Sequence, residues 1–259
     1  MTSLLLALLL SAAPKRPPAP PPVAPPPAPA AVTLAVLIED TSLPTRDAVT
    51  GAFARLAPLA PPLSAGPDDK VMTFESGGVQ VHVTLVPEPL AADVVERAAG
   101  QSLYGFLQDW RPSPHRARLV VSLDSLGSQS LGSQPSRATV TTFLRIVAAV
   151  EGAAHAVAVH VPAFDVIVPP EVFRDAVMAE PPLLVGWLAI ERRMENARAI
   201  FASHGMALLG LPELTLSVPI AKSADALGHF LGLLEQAQQT PPPADKPWRV
   251  DLPDDWSSP

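Results

Sequence analysis

The chain has 259 residues, 18 basic and 25 acidic side chains, a net charge of -7 and no cysteine. Disulfides, thiolate metal sites and a cysteine nucleophile are therefore excluded, and the acidic balance argues against nucleic acid as a partner. No apolar run reaches the roughly 18 residues of a membrane span, so no transmembrane segment is expected.

Residues 1–13 carry a short apolar run, Leu4 to Leu10, and a small-residue end, Ser11-Ala12-Ala13. That pattern fits a signal peptide, but no basic residue precedes the run. A periplasmic or secreted chain and a cytoplasmic one both stay open. Residues 14–31 form a Pro/Ala-rich spacer. Between Pro14 and Pro29, ten of sixteen residues are proline, which removes backbone donors and predicts an extended, disordered stretch. Residues 32–239 read as a single domain, and 240–259 as a Pro-rich, acidic, disordered tail in which Trp248 and Trp256 could anchor locally.

Val32 to Glu39, "VTLAVLIE", is a continuous apolar run of strand length and predicts a central strand. Pro44 opens a helix to Leu56 with Val49, Phe53 and Leu56 on one stripe. A hairpin is expected around Gly77-Gly78, its second arm alternating Val79, Val81, Val83 and Leu85 with Gln80, His82 and Thr84. A helix over 91–110 follows, marked by Val95, Ala99, Phe106 and Trp110, and then a strand over 116–123. This first half has the β-α-β-β-α-β order of a ferredoxin-like unit. Ser136 is a good N-cap for a helix carrying Val140, Phe143, Leu144 and Val147 and closing at Gly152. A strand "HAVAVHV", a short helix begun by Pro169-Pro170, and two strands joined at Met194-Glu195-Asn196 come next. The last helix spans 223–239 with Leu227, Phe230, Leu231 and Leu234 on one face. The fold class is α+β, a mixed β-sheet covered by helices.

The stretch "SHGMALLGLPELTLSV", Ser203 to Val218, is the most sharply composed. Ser203 can cap a short helix, Gly210 suits its left-handed end, and Pro212 stops it. Leu214, Leu216 and Val218 alternate inward. Backbone geometry accounts for the glycines and the proline; His204 and Glu213 remain as polar residues with chemistry to spare. Gly205-Met206, Leu209-Gly210-Leu211-Pro212-Glu213 and the strand after them, together with "PPEVF" (169–173) and the spacing of Pro182 and Trp187, resemble a bacterial family, domain-of-unknown-function family 4261. The resemblance spans roughly Val32 to Ser217 and implies a fold rather than an activity. Thr215 stands where that family often has a second acidic residue, so it implies no paired-carboxylate site.

Other chemistry is sparse. Gly127 and Gly132 have phosphate-loop spacing, but Ser133 and Gln134 occupy the Lys and Ser/Thr positions, and the segment reads as a surface loop. His82, His115, His155, His160, His204 and His229 form no metal-ligand pair in sequence, so no metal or cofactor is expected; His82 reads as solvated. No G-x-S-x-G elbow occurs. Arg192 and Arg193 form a charged hairpin tip that could grip an anion or carboxylates. The expected function is a non-enzymatic interaction or binding module with a protein partner, an immunity-like role being one version. The alternative is a hydrolase or small-ligand enzyme with a carboxylate/His site, its candidate catalytic residues being Glu213, His204 and Asp40.

Overall fold

The computed structural model describes residues 32–66, 71–124, 136–180, 186–209, 211–240, 242 and 248–256. The apolar run and proline-rich stretch over 1–31, the phosphate-loop-like segment at 127–134, the Phe106 side chain and Gly210 lie outside the described residues.

The fold is α+β. Its larger sheet has seven strands in the order β2-β3-β4-β5-β1-β6-β7, and every pairing in it is antiparallel. The strands are β1 (Thr33–Ile38), β2 (Ser64–Ala65), β3 (Met72–Ser76), β4 (Val79–Val86), β5 (Ala117–Leu123), β6 (Ala156–Val161) and β7 (Val166–Val168). β1 is central and buried on both sides, which is why its sequence is apolar without alternation. Leu34, Val36 and Ile38 join the main core beneath α1 (Arg46–Leu56), α4 (Arg137–Ala154) and α5 (Pro170–Met178). Leu37 points the other way and packs with Ala158, Ile167 and Ala98 of α2 (Ala92–Gln101).

Local signals set most element ends. Thr45, one residue after Pro44, caps α1 by accepting from the Ala48 N–H at 3.2 Å. Ser136 caps α4, as expected, accepting from Thr139 N–H at 3.1 Å. Gly77 and Gly78 both have positive φ and turn the β3–β4 hairpin. α4 passes Gly152 and runs to Ala154, where His155 adopts the left-handed conformation, because Ala153 and Ala154 still pack against the core. The helix expected over 91–110 is two helices, α2 and α3 (Leu103–Gln108). Ser102 divides them. Its hydroxyl donates to the Ala99 carbonyl and accepts from the Gly105 N–H, each at 2.9 Å. A Cβ on Gly105 would lie 1.9 Å from the Ala99 carbonyl oxygen, so only glycine permits this close approach.

A second sheet of four strands has the order β11-β10-β9-β8. It contains β8 (Ala189–Glu195), β9 (Arg198–His204), β10 (Leu214–Pro219) and β11 (Trp248–Asp251). β8, β9 and β10 pair antiparallel, and β11 joins β10 in parallel, so the mixed pairing sits here rather than in the larger sheet. Residues 186–188 precede β8 without joining it. α6 (Ser223–Gln239) covers one face through Phe230, whose ring centroid is 6.1 Å from that of Phe201. Ala226, Phe230, Leu234 and Ala237 form its buried stripe, with Leu227 and Leu231 flanking it.

Within the tail expected to be disordered, residues 248–256 are ordered. Arg198 accounts for much of this: it donates to the Ser217 hydroxyl at 2.7 Å, to the Leu252 carbonyl, and to Asp254 at 3.2 Å. Trp256 lies against His229, ring centroids 5.5 Å apart. Both tryptophans thus anchor the segment, Trp248 through β11.

The β8–β9 turn carries positive φ at Asn196 and at Ala197, 49° and 62°. Alanine is strained there and glycine is not. Ala197→Gly is expected to raise stability by roughly 0.5–1 kcal/mol, read as a higher melting temperature; an unchanged or lower one would refute the strain.

Candidate functional site

The segment after β9 is organised by one carboxylate. Gly205 has φ of 122°, and a Cβ on it would meet the Phe164 ring at 3.2 Å. A 3-10 turn, Met206–Leu209, follows, and Leu211 N–H closes onto the Met206 carbonyl at 3.2 Å. Glu213 then reaches back. Its Oε1 accepts from the Gly205 and Ala207 N–H groups at 2.8 and 3.2 Å, and its Oε2 accepts from the Ser203 hydroxyl at 2.7 Å. Ser203 in turn accepts from Leu214 N–H at 2.8 Å. The capping role expected of Ser203 thus falls to Glu213. Ser203 lies inside β9 and is 1% exposed, and a carboxylate has lone pairs enough for several orphan amides. Leu214 and Leu216 are fully buried, as their alternation predicts.

His204 and Asp40 do not join this arrangement. His204 follows Ser203 in β9 and therefore faces the opposite side of the sheet. There its Nε2 lies 3.2 Å from Glu191 Oε2, both side chains half-exposed. This hydrogen bond, with help from Arg193, holds the Glu191 carboxyl below its usual range. Asp40 lies just beyond β1, is exposed, and has no hydrogen bond or ion pair to Glu213 or His204. Arg193 bonds its own strand neighbours, Glu191 at 3.3 Å and Glu195 at 3.8 Å, while Arg192 lies over the Phe201 ring.

Two polar constellations escape sequence reading. On the face of the larger sheet away from α1 and α4, His82 Nδ1 is 3.1 Å from the Thr73 hydroxyl, and its Nε2 is 3.3 Å from Asp124 Oδ2. His82 is therefore partnered, not merely solvated. A two-residue hairpin loop at Gly77-Gly78 puts residue 73 opposite residue 82, so the Thr73 contact was recoverable from sequence. Asp124 was not, because it follows β5, which reaches β4 only through the sheet.

The second constellation surrounds His160 on β6. It is 5% exposed, its Nε2 has no hydrogen-bond partner, and Asp165 Oδ1 lies 4.0 Å away. Arg97 of α2 holds both Asp165 oxygens. Burial pushes the His160 imidazole down to about 4, against Asp165, which favours the charged form, and with Arg118 and Arg97, which oppose it. His115 is also shifted down, by burial and by Arg118, and its Nε2 accepts from Leu90 N–H at 2.9 Å. Among the described residues no three His, Asp or Glu side chains converge as a metal site.

Comparison of the chain with protein-family models, with curated proteins and with solved structures gave no match.

Glu213→Gln keeps one acceptor oxygen and loses the charge that serves two amides and a hydroxyl. It is expected to cost on the order of 1–2 kcal/mol. Ser203→Ala, which strands the Leu214 N–H, should cost about 1–3 kcal/mol. The double variant should cost less than the sum, since the two groups share one bond. Thermal melts that leave both variants at the parent temperature would remove Glu213 from the structure's support. His160 gives a pH test. Its folded value is depressed, so its stabilising contribution is present above the ordinary value of 6.5 and is lost as pH falls toward 4. Across that window the parent should lose up to about 3 kcal/mol relative to His160→Gln. Parallel denaturation curves for the two proteins from pH 7 to pH 4 would contradict the assignment.

Proposed function

We propose that this chain is a non-enzymatic interaction module whose partner is a protein. The supporting observation is the polar face of the larger sheet, where Thr73, Gln80, His82, Thr84, Ser122 and Asp124 are half-exposed or exposed. Strand pairing puts these side chains on one face of the sheet, opposite the face that α1 and α4 cover. Such a surface offers many donors and acceptors on a rigid frame, which suits recognition of a folded polar partner. The use of Glu213 by backbone amides supports the same reading, because a carboxylate so engaged is a poor general base. An immunity-like pairing with one dedicated partner is a specific version, and the resemblance to domain-of-unknown-function family 4261 is compatible with it.

A hydrolytic reading has its own supporting observation. Hydroxyl, imidazole and carboxylate follow one another at Thr73, His82 and Asp124. With Nε2–H donated to Asp124, Nδ1 would accept the Thr73 proton. The two readings separate experimentally. Thr84→Arg and Ser122→Arg project bulk from the sheet without touching the core. On the interaction reading they abolish co-purification of a native-host partner that the parent retains, with unchanged melting temperature. Retained co-purification by both would overturn it. On the hydrolytic reading, a panel of activated esters is turned over by the parent and not by His82→Ala.

A further inference from the structure

Among the described residues β8 is an open edge: it lies at the end of the sheet order β11-β10-β9-β8, and its full-length pairing is with β9. Its outer side meets one isolated bridge, Ser102 to Ala189, at its first residue. Beyond that bridge Glu191, Arg192, Arg193, Met194 and Glu195 are all exposed, and Met194 retains 54% of its surface. Unpaired N–H and C=O groups along such an edge form a template for another strand.

Two registers of this edge bring opposite charges together, and they differ in length: an axis at Met194 pairs Arg193 with Glu195 but runs at once into the left-handed turn at Asn196 and Ala197, whereas an axis at Arg192 keeps five residues paired. Two copies of a strand pair antiparallel about a two-fold axis, and residues directly opposite share a face. With the axis at Arg193, Glu191 would oppose Glu195 and Arg193 would oppose itself, so every outer-face pair is like-charged. With the axis at Arg192, Glu191 opposes Arg193 twice, and Ile190 opposes Met194 twice on the inner face. The cost is one Arg192–Arg192 pair. That side chain is already drawn over its own sheet, its guanidinium 5.9 Å from the Phe201 ring centroid and donating to the Ser223 hydroxyl at 3.3 Å. The ion pairs that Arg193 and Glu191 make within one chain are half-exposed, so exchanging them for pairs between copies costs little. The usable edge also suits this register. The Ser102 bridge occupies Ala189, so the free edge runs from Ile190 to Glu195, and an axis at Arg192 pairs all of it except Glu195.

We propose that β8 pairs with β8 of a second copy of this chain about an axis at Arg192, joining two four-stranded sheets into one of eight strands. The surface is separate from the polar face of the larger sheet, so the proposal stands or falls independently of the partner-binding reading.

Sedimentation equilibrium of the full chain over a wide concentration range tests it. The parent should shift from the mass of one chain to that of two. Glu191→Arg and Arg193→Glu each place like charges opposite one another at both symmetric positions, and each should weaken association by roughly tenfold or more. An equimolar mixture of the two variants restores both opposite-charge pairs and should recover the two-chain mass, as should E191R/R193E in one chain. Circular dichroism melts of each variant check that it is folded. A parent that stays at one-chain mass throughout, single variants that associate like the parent, or a mixture of folded variants that fails to recover would each overturn the proposal.

Discussion

The rest of the fold depends on the burial of β1 on both sides. A central strand with Leu34, Val36 and Ile38 on one face and Leu37 on the other cannot face water anywhere. The larger face takes α1, α4 and α5. The other takes α2, which meets the sheet around Leu37, Ala158 and Ile167. Away from that patch the same face carries His82, Thr84 and Ser122, directed outward. The surface proposed above for binding lies on this second face, away from the patch that α2 covers.

Charge at the borders of the core is handled locally. Glu151 on α4 is 2% exposed, and Arg174 of α5 donates to both its oxygens at 2.6 and 3.1 Å. Burial raises the Glu151 carboxyl and the arginine opposes the rise, with burial the larger effect. The pair links α5 to α4, and a buried ion pair of this kind contributes little net stability once desolvation is counted. His160 receives no such partner: burial disfavours its charged form, and Asp165 is held by Arg97, which ties α2 to the turn before β7. Glu213 shows the opposite solution. A half-buried carboxylate gathers two amides and a hydroxyl, and the chain turns between β9 and β10 without a regular helix cap.

The second sheet is held to the first by one continuous core that includes Trp187, Met206 and Phe230. Its β11 comes from a proline-rich region whose composition argues for disorder. Pairing with β10, the Arg198 contacts and the tilted ring contact of Trp256 with His229 offset the entropy of ordering that segment.

What the sequence determined by itself was written within a turn or two of chain. The bounds of α6, the Ser136 cap, the Gly77-Gly78 hairpin and the inward alternation of Leu214, Leu216 and Val218 all rest on periodicity, caps and glycine geometry, which act over a few residues. The α+β class followed from those. Tertiary structure decided whatever required distant partners. Ser102 broke a helix whose periodicity looked continuous, because its hydroxyl could serve both sides of the break. Glu213 took the role expected of Ser203, because strand pairing placed Ser203 inside the sheet. Asp124 met His82 from 42 residues away through the order of the strands. Asp40, Glu213 and His204 looked alike as polar residues at strand ends. Only the three-dimensional fold could separate them, because which face a side chain occupies and which backbone amides lie beneath it depend on neighbours that local sequence does not specify.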